Sequence, residues 1–186
     1  TPAAQKRPGE ISGGMKQRIV IAMALAGEPE LIVADEPTTA LDVTVQAQII
    51  HILATLVRER GLGLVLITHD MGVVAQVCDK VAVLYAGRLA ETRDVRPLFG
   101  AAAHPYTAAL INCIPRDGMA AGALTGIAGI VPSVANYPNG CRYHPRCSRA
   151  AESCRSIVPL PHILPDGGTV ACHFPLTDPH QEAANV

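Results

Sequence analysis

The sequence predicts an α/β fold with a mostly parallel sheet, followed by a small, irregular, Cys-rich extension. Three observations carry this. Short apolar runs alternate with amphipathic stretches up to about Gly100, the order expected of strands and helices in layers. Apolar residues make up 49% of the chain but aromatic ones only 3%, so the core must be aliphatic. Beyond Gly100 the periodicity gives way to Pro, Gly and Cys.

The elements follow in order. ISGGMKQR, from Ile11, reads as a capped helix start, with Ser12 as N-cap and the helix running through Lys16 to Ala26. LIVAD (Leu31 to Asp35), LGLVLITHD (ending at Asp70) and KVAVLY (Lys80 to Tyr85) read as buried strands, short and bounded by turn residues. Between the first two, Val43 to Arg60 reads as a helix. Val45, Ile49, Ile52, Leu53 and Leu56 lie at helical spacing, Arg58 and Arg60 near its end, and Gly61 just past it. A β-α-β-α-β order of this kind predicts parallel strands with helices against the sheet. The last strand is expected to turn at Ala86-Gly87 into an antiparallel partner, Arg88 to Thr92. HPYTAALI, from His104, forms a short helix with Pro105 at its first position. The remainder is too poor in periodicity to build its own core and calls for a staple.

Charge and composition exclude some functions. A net charge of −1 argues against a general nucleic-acid binder, which carries a basic excess. No signal peptide is visible, and no apolar stretch is long enough to span a bilayer, so a membrane role is expected to be peripheral. Six Cys without a secretory signal point to a reducing compartment.

The chemistry gathers at strand ends. LIVADEP delivers two adjacent carboxylates at the C-terminal end of a strand, where open α/β sheets bind ligands. Asp35 suits Mg²⁺, usually through water, and Glu36 suits polarising an attacking water. The plainer reading is a strand ending in solvated acids. In ISGGMKQR, Gly13 and Gly14 let a phosphate approach bare backbone N–H groups at the positive end of the helix dipole. An ordinary capped helix would read the same. ITHD places His69 at the end of another strand, where it is either structural or catalytic.

Taken together and in order, ISGGMKQR, LIVADEPTTALD and ITHD resemble the signature, Walker B, D-loop and switch-histidine segments of ATP-binding-cassette ATPases, over roughly Glu10 to Glu91. The resemblance implies a partial P-loop NTPase domain. It makes Asp35 the Mg²⁺-associated carboxylate, Glu36 the catalytic one and His69 the γ-phosphate sensor. Leu41 and Asp42 fall in the D-loop, and Ser12, Gly13 and Gly14 become the signature contacts. Met15 stands where many cassettes have Gln. The sequence holds no G-x-x-x-x-G-K-[ST] loop and no Gln-bearing loop of the kind that couples a cassette to its membrane partner. The chain therefore looks like the C-terminal part of a cassette. In that family two cassettes pair head to tail, so ISGGMKQR is expected to touch ATP held by the partner, and the chain alone is expected to be inactive. The incomplete sheet is expected to expose an apolar face or edge.

In the second region four Cys are spaced C-x₅-C-x₆-C-x₁₇-C: Cys141, Cys147, Cys154 and Cys172. Four thiols in a coreless segment favour a tetrathiolate metal site. Zinc is possible, although the usual C-x₂₋₄-C pair is missing, and an iron–sulfur cluster tolerates more varied spacing. His144 and His173 lie beside these positions and leave a mixed site open; free or buried thiols are the plainer alternative. Arg142, Arg146, Arg149 and Arg155 either offset cluster charge or form a solvated face. Cys78 and Cys113 read as buried small hydrophobes.

HPYTAAL, VPSV, PNGCRYHPRCSRAAESC and DGGTVACH are similar to the C-terminal extension of the ATP-binding subunits of dipeptide and oligopeptide importers, and TTALDVTVQAQI is characteristic of that branch. This resemblance implies two regions: 1–100, the C-terminal part of the ATPase domain, and 101–186, the extension. It implies a [4Fe–4S] cluster, alternatively Zn²⁺, on the four Cys. Its cofactors are ATP and Mg²⁺. Its partners are a second ATPase subunit, membrane permease subunits and, indirectly, an extracytoplasmic solute-binding protein, with no nucleic acid. The implied place is the cytoplasmic face of the cell membrane, and the implied function is ATP-driven uptake of di- or oligopeptides. An importer of nickel or another small solute, or a cassette ATPase outside transport, remains the alternative.

Overall fold

The computed structural model describes residues 5–115, 118 and 126–176, and the chain divides into two compact units at Val73/Val74. The first begins with a 3₁₀ turn at Pro8–Glu10 and continues with α1 (Gly13–Leu25), β1 (Leu31–Asp35), α2 (Val43–Arg60) and β2 (Gly63–Ile67). Ser12 caps α1, its Oγ accepting from Met15 N at 3.3 Å. Asp42 caps α2 in the same way, from Val45 N at 2.9 Å, and Gly61 ends that helix in the left-handed region at φ 65°. The apolar spacing along α2 buries Ile49, Ile50 and Leu53. β1 and β2 pair in parallel, from Leu31 opposite Gly63 to Asp35 opposite Ile67. Leu31, Val33, Val65 and Ile67 are exposed, and so are Ile19, Val20 and Met23 on α1, so apolar surface is left open on this unit.

α3 (Met71–Val77) carries the chain into the second unit. There β3 (Lys80–Tyr85) and β4 (Arg88–Asp94) form the expected hairpin, with α4 (Val95–Gly100), α5 (Pro105–Asn112) and α6 (Glu152–Ser156) following. The turn residues Ala86 and Gly87 both have positive φ, 48° and 77°, the pattern of a two-residue hairpin turn matched to strand twist. Two short strands, β5 (His162–Ile163) and β6 (Thr169–Val170), add to the hairpin in the order β3-β4-β6-β5.

This corrects the expectation of a mostly parallel sheet. Among the described residues only β1 and β2 are parallel; the larger, four-stranded sheet is antiparallel throughout. The reason lies in the connections. Parallel neighbours need a crossover, whereas β3 to β4 and β5 to β6 are joined by tight turns that only antiparallel pairs allow.

The extension builds its packing on this sheet. Ala103, Leu164 and Val170 form a buried cluster against which Cys172 packs, and Tyr85, Tyr106 and Tyr143 meet edge to face or tilted, with centroids 4.6 to 5.3 Å apart. Glu91 is fully buried, and its carboxylate accepts from the backbone N–H of Ala103 at 2.9 Å and of His104 at 2.8 Å. Arg93 lies 3.5 Å from Glu91 and donates to Asp166, in the turn between β5 and β6, and to the Ala101 carbonyl. Gly168 is required here by space, since a Cβ would stand 2.3 Å from Arg93 Cγ. The Arg93 guanidinium holds Asp166 below the usual carboxylate range.

Two predictions follow from this packing. Glu91→Gln turns an NH₂ group toward backbone donors and is expected to destabilise the second unit by about 3 kcal/mol in urea unfolding followed by Tyr fluorescence. His104 is buried, its Nδ1 accepting from Tyr106 N at 3.0 Å, and burial lowers its pKa from 6.5 to about 4. The unfolded chain therefore binds the proton more tightly, so stability is full above pH 6.5 and falls as the pH drops toward 4, by about 3 kcal/mol in all. His104→Asn keeps a capping oxygen without titrating and is expected to flatten that dependence.

Candidate functional site

The site of the first unit grows from the ends of β1 and β2. The parallel ladder continues one residue past β1, with Glu36 N donating to Ile67 O at 2.9 Å. Glu36 then turns into the left-handed region at φ 45°, as does Ala40 at φ 63°, conformations that cost a non-glycine residue about 1 kcal/mol or more. Backbone bonds from Thr39 N to Glu36 O and from Leu41 N to Thr38 O tighten the loop that delivers Asp42 to the start of α2.

This geometry brings Glu36 and His69 together. His69 Nδ1 lies 2.8 Å from Glu36 Oε1, and Thr39 Oγ1 donates to Glu36 Oε2 at 2.9 Å. Both carboxylate oxygens thus have a partner. The hydrogen bonds of His69 and then Thr39 hold Glu36 below its ordinary 4.5, and the Glu36 carboxylate raises His69 above its ordinary 6.5. The contribution of His69 is full below pH 6.5 and lost as the pH rises through its raised value. That of Glu36 is full above pH 4.5 and lost as the pH falls through its lowered value. The pair is therefore strongest between these limits, where Glu36 is ionised. Asp35 is exposed at the end of β1.

The loop after β2 is fixed by Asp70. Its Oδ1 accepts from Gly72 N at 2.9 Å and Val73 N at 3.2 Å, and its Oδ2 from Gln46 Nε2 on α2 at 3.0 Å. Thr39, Gln46 and Asp70 were not singled out by sequence reasoning. Only Asp70 carries a local signal, an Asx residue two positions before a Gly at a helix start.

The other sequence-selected residues fall as follows. Ser12, Gly13 and Gly14 sit at the start of α1, against the segment that carries Asp42. A Cβ on Gly14 would stand 2.5 Å from Val45 Cγ1, and one on Gly13 3.1 Å from Leu41 Cδ2. Close packing on α2 and the loop before it is thus sufficient reason for both glycines. Asp42→Ala removes the α2 cap and is expected to lower stability by about 1 kcal/mol, read from the urea midpoint.

The metal site expected in the second unit is not borne out. Among the described residues no group of three or more His, Cys, Asp or Glu side chains is placed to hold a metal ion. Cys141, Cys147, Cys154 and Cys172 are free thiols lining one small cavity with only about 10 Å³ of open space, at the lower limit for a single water. Burial pushes the thiols of Cys141 and Cys147 up, and that of Cys172 up to about 11. Each flanking imidazole places one ring nitrogen on a backbone carbonyl, His144 Nδ1 on Cys141 O and His173 Nε2 on Ile157 O, each at 2.9 Å. No site for a [4Fe–4S] cluster or for Zn²⁺ is thus found among the described residues. The arginines near the thiols act as struts: Arg142 donates to Ala86 O and stacks on Tyr137, and Arg146 donates to the Ile127 and Ala128 carbonyls. Cys78 and Cys113 are half-buried.

Comparison with known proteins gives two family matches: residues 1–39 to the ABC transporter family, and residues 90–154 to the oligopeptide/dipeptide transporter C-terminal region. The chain is 47% identical over 171 residues to the dipeptide transport ATP-binding protein DppD of Escherichia coli (strain K12), covering 92% of this chain and 52% of that protein. It is 47% identical over 181 residues to the oligopeptide transport ATP-binding protein OppD of Salmonella typhimurium (strain LT2), covering 95% and 54%. The chain thus spans about half the length of the curated relatives it matches. Among solved structures it is similar to the dimeric post-hydrolysis state of the ATP-binding cassette MJ0796 bound to ADP and Pi, at 36% identity and a TM-score of 0.46, covering 50% of this chain and 40% of that one.

Proposed function

We propose, from the two family matches and the similarity to dipeptide and oligopeptide transport ATP-binding proteins, that the chain is the C-terminal part of an ABC-transporter subunit whose ATP hydrolysis drives uptake of di- or oligopeptides. The observation that carries the reading is the Glu36–His69 pair at the ends of two adjacent parallel strands. An ionised carboxylate at a strand end, oriented by an imidazole, is the arrangement a general base for water attack requires.

Each residue then has a role. Glu36 orients and deprotonates the attacking water, and His69 holds the carboxylate and faces the γ-phosphate side of the nucleotide. Asp35, exposed beside a Glu36 that is already occupied, is the carboxylate left to hold Mg²⁺, and one or two carboxylates plus phosphate oxygens suit that ion. When bound, Mg²⁺ supplies charge neutralisation on the phosphates. Ser12, Gly13 and Gly14 contact nucleotide bound by a second ATPase subunit, and Asp42 fixes the loop between the strand-end site and α2.

Residues 1–100 serve as this cassette part and 101–186 as the extension. Attachment at the cytoplasmic face of the membrane, through permease subunits, is part of the same proposal; among the described residues no helix is long and apolar enough to cross a membrane.

Since the sequence holds no G-x-x-x-x-G-K-[ST] loop, the chain by itself is expected to show no ATP turnover. The complete subunit carrying it, assembled with its partners, is expected to hydrolyse ATP and to lose at least about 100-fold in kcat with Glu36→Gln. Turnover by the complete subunit undiminished in that variant would overturn the assignment of the base. Turnover by the chain alone that the same variant abolishes would overturn the claim that its site is incomplete.

A further inference from the structure

We propose that Thr39 is a positioning residue for ATP hydrolysis, its hydroxyl fixing the Glu36 carboxylate in the plane from which the attacking water is deprotonated. The inference rests on the reading above of Glu36 as general base. It starts from the division of labour at the carboxylate: Oε1 faces His69 Nδ1 at 2.8 Å, and Oε2 accepts from Thr39 Oγ1 at 2.9 Å. With one partner on each oxygen, rotation about the Cγ–Cδ bond is blocked, while each oxygen keeps a second lone pair for a water.

A purely structural account of the hydroxyl is weak. The turn that places Thr39 is already closed through the main chain, by Thr39 N on Glu36 O at 3.2 Å, so the loop does not need the side chain to form. Thr39 is exposed, and its hydroxyl therefore satisfies no buried group other than its bond to Glu36. Glu36 itself is held at φ 45°, a conformation that aims its side chain but does not set the twist of its carboxylate. That last torsion is broad for Glu in general, so it needs a partner to define it. His69 supplies one such partner from the other strand end and Thr39 the second from the loop. Misplacing a base oxygen by about 1 Å costs up to about 100-fold in rate, which is the effect Thr39 suppresses.

The test uses the complete subunit in its assembled transporter, with kcat and KM for ATP measured for wild type, Thr39→Val, Thr39→Ser, Glu36→Gln and the double variant Glu36→Gln/Thr39→Val. Val keeps the shape of Thr and removes only the donor. The expected result is a kcat lowered about tenfold in Thr39→Val with KM unchanged, restoration to within about twofold in Thr39→Ser, and no loss in the double variant beyond that of Glu36→Gln. A wild-type kcat in Thr39→Val, with Glu36→Gln inactive, would overturn the role of Thr39 and leave the base in place. Equal losses in Val and Ser, or a raised KM at unchanged kcat, would likewise overturn it. Full activity in Glu36→Gln would remove the reading on which the proposal stands. Thermal unfolding of each variant separates a lost orientation, with the melting temperature kept, from a collapsed loop, which would count against the proposal.

Discussion

The parallel register of β1 on β2, which sets Asp35 opposite Ile67, is the constraint on which the chemistry of the first unit depends. A slip of one residue would reverse every side chain of one strand relative to the other. With the register as it is, one further ladder bond, from Glu36 N to Ile67 O, holds Glu36 beside the strand whose end carries His69. The chain then leaves β1 through positive φ at Glu36 and Ala40, strain of the kind that persists where surrounding structure over-determines it. Here the surroundings are the Thr39 and His69 bonds to the carboxylate, the Asp42 cap and the Gln46–Asp70 contact, which ties α2 to the loop after β2.

The second unit is organised by a different kind of constraint, a fully buried carboxylate. Glu91 receives the two backbone N–H groups that precede α5, and Arg93 beside it reaches Asp166 in the β5–β6 turn. A side chain that would be costly to bury alone is tolerated because its acceptors are filled. The same contacts fasten the extension to the hairpin, together with strand addition and the Ala103, Leu164 and Val170 cluster. The sequence called for a staple because this segment is too poor in periodicity to build its own core; in the structure sheet pairing and a salt-bridged turn hold it.

What could be read from the sequence and what could not divides along physical lines. α2 was legible because eighteen residues of helical spacing, an Asp cap and a terminal Gly all agree, and the hairpin because Ala86-Gly87 sits between two strand-like runs. Glu36 and His69 were legible as strand-end groups, but not that they touch, since that depends on pairing between segments more than thirty residues apart. β5 and β6 span two residues each and carry no period to detect. The antiparallel sheet they complete was hidden for that reason. Glu91 falls in the stretch read as an antiparallel strand, which carries no signal that a carboxylate there would be buried. The Cys spacing suggested ligands, but spacing does not fix where the side chains lie, and among the described residues no group of three or more His, Cys, Asp or Glu side chains is placed to hold a metal ion.

The central claim is that Glu36 and His69 form one unit set by strand register. Imidazole ¹⁵N and ¹H NMR of His69, recorded across pH in the chain with Glu36 and with Glu36→Gln, tests it most directly. The account predicts a proton on Nδ1 shared with the carboxylate and a His69 pKa above 6.5 that returns toward that value in the variant. An unperturbed imidazole, identical in both proteins, would contradict it.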